Sequence, residues 1–318
     1  MENYTMKFYF ATFFCEKSTF FFDGYCFLYE VSCILSSLVV CSGQAKGNCI
    51  GVRFPFPFGK ERRDLMKSDV TIMDFTGIYE KERFYRGVHV HWIDCRDIQG
   101  TNCYCDEEGE QALLRKIAPF SAEAIHFIDS GNYHYMTKLW TEKLQEPFVL
   151  AVADHHPDMQ PPLFQELLSC GCWVNRVLEE NPYVKKVVLL GADAELVAAV
   201  PEPYRSRMVA YDESQIARDD RWENCFPKDL PVYLSIDKDI LSPSQVHTNW
   251  QQGTLTLSQL RNVILELFHH CRVSGADICG EWPAAPFHAA DDKVILQDDS
   301  VNGRLLHTLM ALGNGGKA

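Results

Sequence analysis

From Met66 onward, short apolar runs alternate with longer amphipathic segments. Runs of strand length occur at Val88–Ile93, Ala124–Ile128, Phe148–Val152, Lys186–Leu190, Val232–Ile236 and Asp277–Cys279. They are apolar almost throughout, the pattern of strands covered on both faces. Helices are predicted over Glu107–Ala118, Leu163–Glu180, Leu257–His270 and Asn302–Leu312. In the third of these, Leu257, Leu260, Val263, Ile264, Leu267 and Phe268 fall on one face. Strands alternating with helices imply an α/β fold with a mostly parallel central sheet. In such sheets ligands bind beyond the carboxyl ends of the strands.

Residues 1–65 break this rhythm. Phe20–Phe22, the run Val31–Val40 and the Phe-Pro repeat at 54–58 show neither helical nor strand periodicity. Val31–Val40 is shorter than the roughly 20 residues of a membrane span. It reads either as a signal-peptide core, with Lys7 and Lys17 before it but Asp23 and Glu30 interrupting, or as part of a leader upstream of a native start at Met66. On both readings the leader is expected to be loosely ordered and to carry no chemistry, and the catalytic domain is expected over 66–318. The segment after Leu312 is expected to be a mobile tail.

Composition narrows the function classes. The 318 residues are 47% hydrophobic, ample for a core, and carry a net charge of −13. That acidity repels phosphate backbones and argues against nucleic-acid binding. No stretch suits a membrane span, so a small-molecule substrate is expected, and a homo-oligomer is compatible with the sequence. The 13 cysteines are odd in number and irregularly spaced, unlike a disulfide framework, and Cys103/Cys105 and Cys170/Cys172 lack the spacer of a structural zinc site. A reducing, cytoplasmic compartment follows.

The chemistry lies at strand ends. After strand 148–152 the chain reads Asp154-His155-His156-Pro157-Asp158. If the extended path continues, Asp154, His156 and Asp158 point the same way, because side chains alternate with period two. After strand 232–236, Asp237 and Asp239 repeat the device. After strand 124–128, Gly131-Asn132 allows a tight turn that brings His134 to the same sheet end. Clustered carboxylates must either take up protons or be neutralised by cations. Mixed carboxylate and imidazole ligands suit manganese, zinc or iron. His155 reads as a supporting or structural residue.

His134, then Asp154-x-His156-x-Asp158, then Ser235-x-Asp237-x-Asp239 resembles, in order and spacing, the arginase/agmatinase (ureohydrolase) family. The resemblance implies a three-layer α/β/α sandwich and two Mn2+ ions per chain. One ion would take His134, Asp154, Asp158 and Asp237, and the other Asp154, His156, Asp237 and Asp239. It also implies hydrolysis of a C–N bond in a guanidino, amidino or formimino small molecule through a metal-bridging hydroxide, with Asp158 passing a proton to the leaving amine. The segment Asp277-Ile278-Cys279-Gly280-Glu281-Trp282-Pro283 resembles the family strand whose glutamate holds the guanidinium. Glu281 is therefore expected to orient the substrate cation, although the gap from Asp277 is one residue longer than in the family.

Other departures fall on the substrate side. Gly171 stands where the family has a proton-shuttling histidine, Gln160 where arginase has an asparagine, and Ser242-Pro243 replaces an Asp-Pro. Cys95–Cys105 and Ser169–Trp173 are expected to shape the pocket. Two alternatives compete. Asp154-His155-His156 also resembles the signature of DHH phosphoesterases, which use manganese. The missing shuttle histidine is compatible with a metal-binding pseudoenzyme.

Overall fold

The computed structural model describes residues 69–161, 167–218, 222–283 and 292–313, together with four strands in the leader. The chain divides into two compact units, Met1–Arg62 and Arg63–Ala318. In the first, β1 (Lys17–Phe22), β2 (Tyr25–Glu30), β3 (Leu38–Ser42) and β4 (Ile50–Val52) form an antiparallel sheet in sequential order. Strands thus form where no alternation predicts them. Their aromatic and β-branched content supplies the preference that periodicity does not. The remainder of the leader, and the tail beyond Gly313, lie outside the described residues.

The second unit is built on eight strands: β5 (Val70–Asp74), β6 (Val90–Asp94), β8 (Ile125–Phe127), β9 (Phe148–Ala153), β11 (Val184–Gly191), β12 (Met208–Asp212), β13 (Pro231–Asp237) and β14 (Arg272–Cys279). Two further two-residue strands, β7 (Tyr104–Cys105) and β10 (Leu168–Ser169), pair separately and antiparallel. The eight run in the order β12-β11-β9-β13-β14-β8-β5-β6, and every pairing is parallel. All six predicted strands are present. Val70–Asp74 and Met208–Asp212 were not predicted.

Consecutive residues of β9 enter different cores. Val149, Ala151 and Ala153 pack with α6 (Glu213–Ala217), α7 (Leu257–His270) and α8 (Asp292–Gly313). Phe148, Leu150 and Val152 pack with α1 (Glu107–Ile117), α2 (Met136–Thr141) and α3 (Trp173–Glu180). The short helices α4 (Ala194–Ala198) and α5 (Glu202–Arg205) follow β11. Helices on both faces of a parallel sheet make a three-layer α/β/α sandwich, as expected. Helix α7 matches its predicted bounds, opening on a Thr256/Gln259 capping box. Burying Leu260, Ile264 and Leu267 contributes roughly 1.5–3 kcal/mol each.

The predicted helix 163–180 is corrected. Residues 162–166 are not described, Leu168–Ser169 is strand, and helix begins only at Trp173. Leu168 pairs with Cys105, and Cys170 N–H donates to the Cys103 carbonyl at 2.9 Å. This long-range ladder overrides the local period. Helix α8 spans Asp292–Gly313 and so begins well before the expected Asn302; the polar Asp298 and Asn302 in its buried stripe hide the first half from an apolar pattern. Among the described residues no helix is long and apolar enough to cross a membrane.

Candidate metal centre

The chain crosses from β8 to β9 past two intervening positions, then returns with β13 and β14 between them. Loops leaving β8, β9, β13 and β14 therefore meet at one sheet end, the crevice where α/β sheets hold ligands.

After β8 the chain turns through Asp129, at φ 66°, into a 3-10 turn at Gly131–Tyr133. The buried Asp129 carboxylate fixes this path by accepting from the N–H groups of Phe75, Thr76 and Ser130. His134 follows. Its Nε2 lies 2.8 Å from Ser235 Oγ on β13, which orients the ring. Its Nδ1 lies 3.1, 3.0 and 3.6 Å from carboxylate oxygens of Asp154, Asp158 and Asp237. None of these contacts has hydrogen-bond geometry, and the buried Nδ1 has no hydrogen-bond partner.

The two aspartate clusters converge, but not by continued strand alternation. Strand β9 ends at Ala153, and Asp158 adopts φ 49°. Asp158 is held instead by Trp173 Nε1, which donates to its Oδ2 at 2.6 Å. Asp154 Oδ1 accepts from His156 N–H at 2.6 Å. His156 Nδ1 lies 2.8 Å from Asp239 Oδ2 and 3.5 Å from Asp154 Oδ1. Beyond β13, Lys238–Ile240 is a 3-10 turn, and Asp237 Oδ1 accepts from Asp239 N–H. His155 supports the cluster through its backbone, donating N–H to Asp239 Oδ1 at 3.1 Å. The result is three overlapping groups whose ligand atoms lie within 4.8 Å of one another: His134/Asp154/Asp158, Asp154/His156/Asp239 and His134/Asp237/Cys279.

Electrostatics fit a cation. Burial, then the charge of Asp154, pushes Asp158 up to about 6 and raises Asp237 and Asp239. Burial opposes protonation of His156, yet Asp154 and Asp239 raise it to about 11. Four buried carboxylates and two imidazoles, one with an orphaned nitrogen aimed into the cluster, form a donor set that divalent ions would neutralise. Trp173→Phe keeps an aromatic ring in the buried position but removes the Asp158 donor. It is expected to lower metal affinity about 10–100-fold, the usual cost of an outer hydrogen bond to a ligand, read by competition against a chelating dye.

Glu281, expected to orient a substrate cation, already has an internal cation at one oxygen, while its buried Oε2 has no partner. Its Oε1 accepts from Lys238 Nζ at 2.5 Å and Asn302 Nδ2 at 2.7 Å, and both Lys238 and Glu281 are fully buried. Asp237 pairs in register with Cys279, and Gly280, at φ 92°, turns the next residue toward Lys238. A Cβ at Gly280 would stand 2.5 Å from Asp237 Oδ1. Asp277 likewise has internal partners, His126 Nδ1 and Tyr233 OH, each at 2.7 Å.

Sequence reasoning placed Trp173 only at the edge of a pocket-shaping segment, and missed Lys238, Asn302 and Cys279 as neighbours of the cluster. Only Cys279 carried a local signal, since it lies two residues after Asp277 on a strand and so on the same face. At Gly171 the carbonyl accepts from Gln160 N–H at 2.9 Å, and a Cβ would meet nothing nearer than Gln160 Oε1 at 3.7 Å.

A model of the arginase family matches residues 126–288, the span that holds all six clustered ligands and Glu281. A Thermotoga maritima protein described as uncharacterized is 30% identical over 219 residues, covering 67% of this chain and 79% of that one. The fold is similar to that of a hypothetical agmatinase from Burkholderia thailandensis, with TM-score 0.55, 16% identity, and coverage of 80% of this chain and 88% of the other. It is equally similar to Trypanosoma cruzi formiminoglutamase with Mn2+, with TM-score 0.55, 14% identity, and coverage of 79% and 96%. These matches set aside the DHH phosphoesterase reading, and the chain belongs to the arginase family.

Proposed function

We propose that this chain is a dinuclear metal hydrolase that cleaves a C–N bond of a guanidino, amidino or formimino small molecule. The observation that carries the reading is the orphaned, buried His134 Nδ1 facing three carboxylates, with His156 and Asp239 completing a second group around Asp154. His134, Asp154, Asp158 and Asp237 would hold one ion, and Asp154, His156, Asp237 and Asp239 the other. Manganese is the metal in the Trypanosoma cruzi formiminoglutamase of similar fold. Bound divalent ions would supply an activated water as nucleophile and neutralise developing negative charge.

The chain's own residues do the rest. Ser235 and Trp173 fix the imidazole of His134 and the carboxylate of Asp158. Asp158, buried and held by Trp173, is the proton carrier toward the leaving amine. Glu281, engaged by Lys238 through Oε1, holds the Asp237–Asp239 turn.

The test is a screen of guanidino, amidino and formimino compounds for ammonia, urea or formamide release by the full-length chain with added manganese. Metal-dependent release from at least one compound is expected. Two bound ions per chain with no turnover across the panel would favour the pseudoenzyme reading.

A further inference from the structure

Strands β13 and β14 run parallel with Asp237 opposite Cys279, so the two side chains emerge side by side on one face. Cys279 is fully buried, and its Sγ lies 3.1 Å from Asp237 Oδ2. With His134 and Asp237 it forms a group whose ligand atoms lie within 4.8 Å of one another. The other two groups of buried ligand atoms at this sheet end contain only carboxylate and imidazole. The same group contains His134, whose buried Nδ1 is orphaned and lies 3.6 Å from Asp237 Oδ2, the oxygen that accepts from the thiol. A soft donor therefore stands at the His134 position of the centre, and none stands in the His156 group.

We propose that Cys279 donates a thiolate to the cation held by His134 and Asp237, so that this position selects a thiophilic divalent ion, zinc or ferrous iron, over manganese. The inference rests on the metal-centre reading above. Thiolate ligands favour zinc and iron, whereas carboxylate and water suit manganese. As the sulfur–metal bond forms, the S–H bond gives its proton to bulk water and no electrons change hands. The hydrogen bond that the thiol now makes to Asp237 is then lost, freeing Oδ2 to face the ion. The centre becomes asymmetric, with one thiophilic position and one hard position.

The experiment is cobalt titration of the ion-free, full-length chain, followed by absorption and by elemental analysis. Wild-type protein is expected to bind two cobalt ions and to show a thiolate-to-cobalt charge-transfer band in the near ultraviolet. Cys279→Ser should keep two ions and lose the band. Cys271→Ser, just before the opposite end of β14 where α7 is capped, should keep both. Zinc affinity relative to manganese should fall about 10-fold or more in Cys279→Ser. An unchanged spectrum in Cys279→Ser, with two ions bound, would overturn the inference and leave the hydrolase reading intact. A wild-type chain that binds no cobalt would overturn both. X-ray absorption at the zinc edge of the wild-type chain gives the same answer without any variant. A sulfur scatterer at about 2.3 Å supports the thiolate, and a shell of nitrogen and oxygen alone rejects it.

Discussion

Replacing Asp237 by Ala is expected to empty the centre and abolish hydrolysis. Asp237 Oδ2 faces His134 Nδ1 and Cys279 Sγ, while its Oδ1 accepts from Asp239 N–H and so sets the turn that presents the next ligand. One substitution therefore removes a ligand and releases a second. Losing an outer partner of a ligand costs about 10–100-fold in metal affinity, so losing this carboxylate should cost more than about 100-fold. Elemental analysis after gel filtration should fall from two ions per chain to well under one, and metal-dependent turnover should vanish with it. Chelation should destabilise the wild-type chain and leave the variant's melting temperature unmoved. A variant that retains two ions would show that Asp237 is not shared between them.

The second large effect is on stability. Lys238 → Met should destabilise the domain by about 3–5 kcal/mol, the usual cost of removing one partner of a buried ion pair. At about 2–4 °C per kcal/mol for a domain of this size, the melting temperature should drop by roughly 10 °C. Lys238 Nζ donates to Glu281 Oε1 and Asn302 Oδ1, and Asn302 Nδ2 reaches on to Glu82 Oε2. Burial, then Glu281, raises Glu82 well above the carboxylate range, and burial lifts Asp298 to about 7, so this single ammonium carries much of the network's balance. Without it, Glu281 is a buried carboxylate with no cation. Pairing Lys238→Met with Glu281→Gln removes that charge while keeping the contact to Asn302, and should recover most of the loss. A single variant as stable as wild type in thermal and denaturant melts would remove the structural role assigned to the pair. Because Lys238 sits between Asp237 and Asp239, the single variant should also weaken metal binding, and the double variant should restore it in part.

The regular half of the fold was legible because its signals are local. Buried parallel strands read as continuous apolar runs, and α7 reads as a stripe at helical spacing with a capping box before it. Helix α8 was legible only in its second half. Asp298 and Asn302 occupy core-facing positions and interrupt the stripe, since they serve a polar network rather than an apolar one. The helix expected at 163–180 failed for the opposite reason. The local pattern was acceptable, but pairing of Leu168 and Ser169 with Cys105 and Tyr104 claimed the segment.

By itself the sequence determined the fold class and the six residues of the cluster. His134, Asp154, His156, Asp158, Asp237 and Asp239 each follow a recognisable strand, and a parallel sheet brings strand ends to one edge whatever the details of packing. Only the tertiary structure decided what surrounds them. The two clusters meet through turns rather than alternation, Trp173 holds Asp158, and Lys238 takes the carboxylate of Glu281. It also places Cys279 beside Asp237. The physical reason is range. Periodicity reports which face a residue shares with its near neighbours, whereas the partner of a buried charge is chosen across strands by register, as where Asp237 stands opposite Cys279 and Gly280 turns the chain before Glu281.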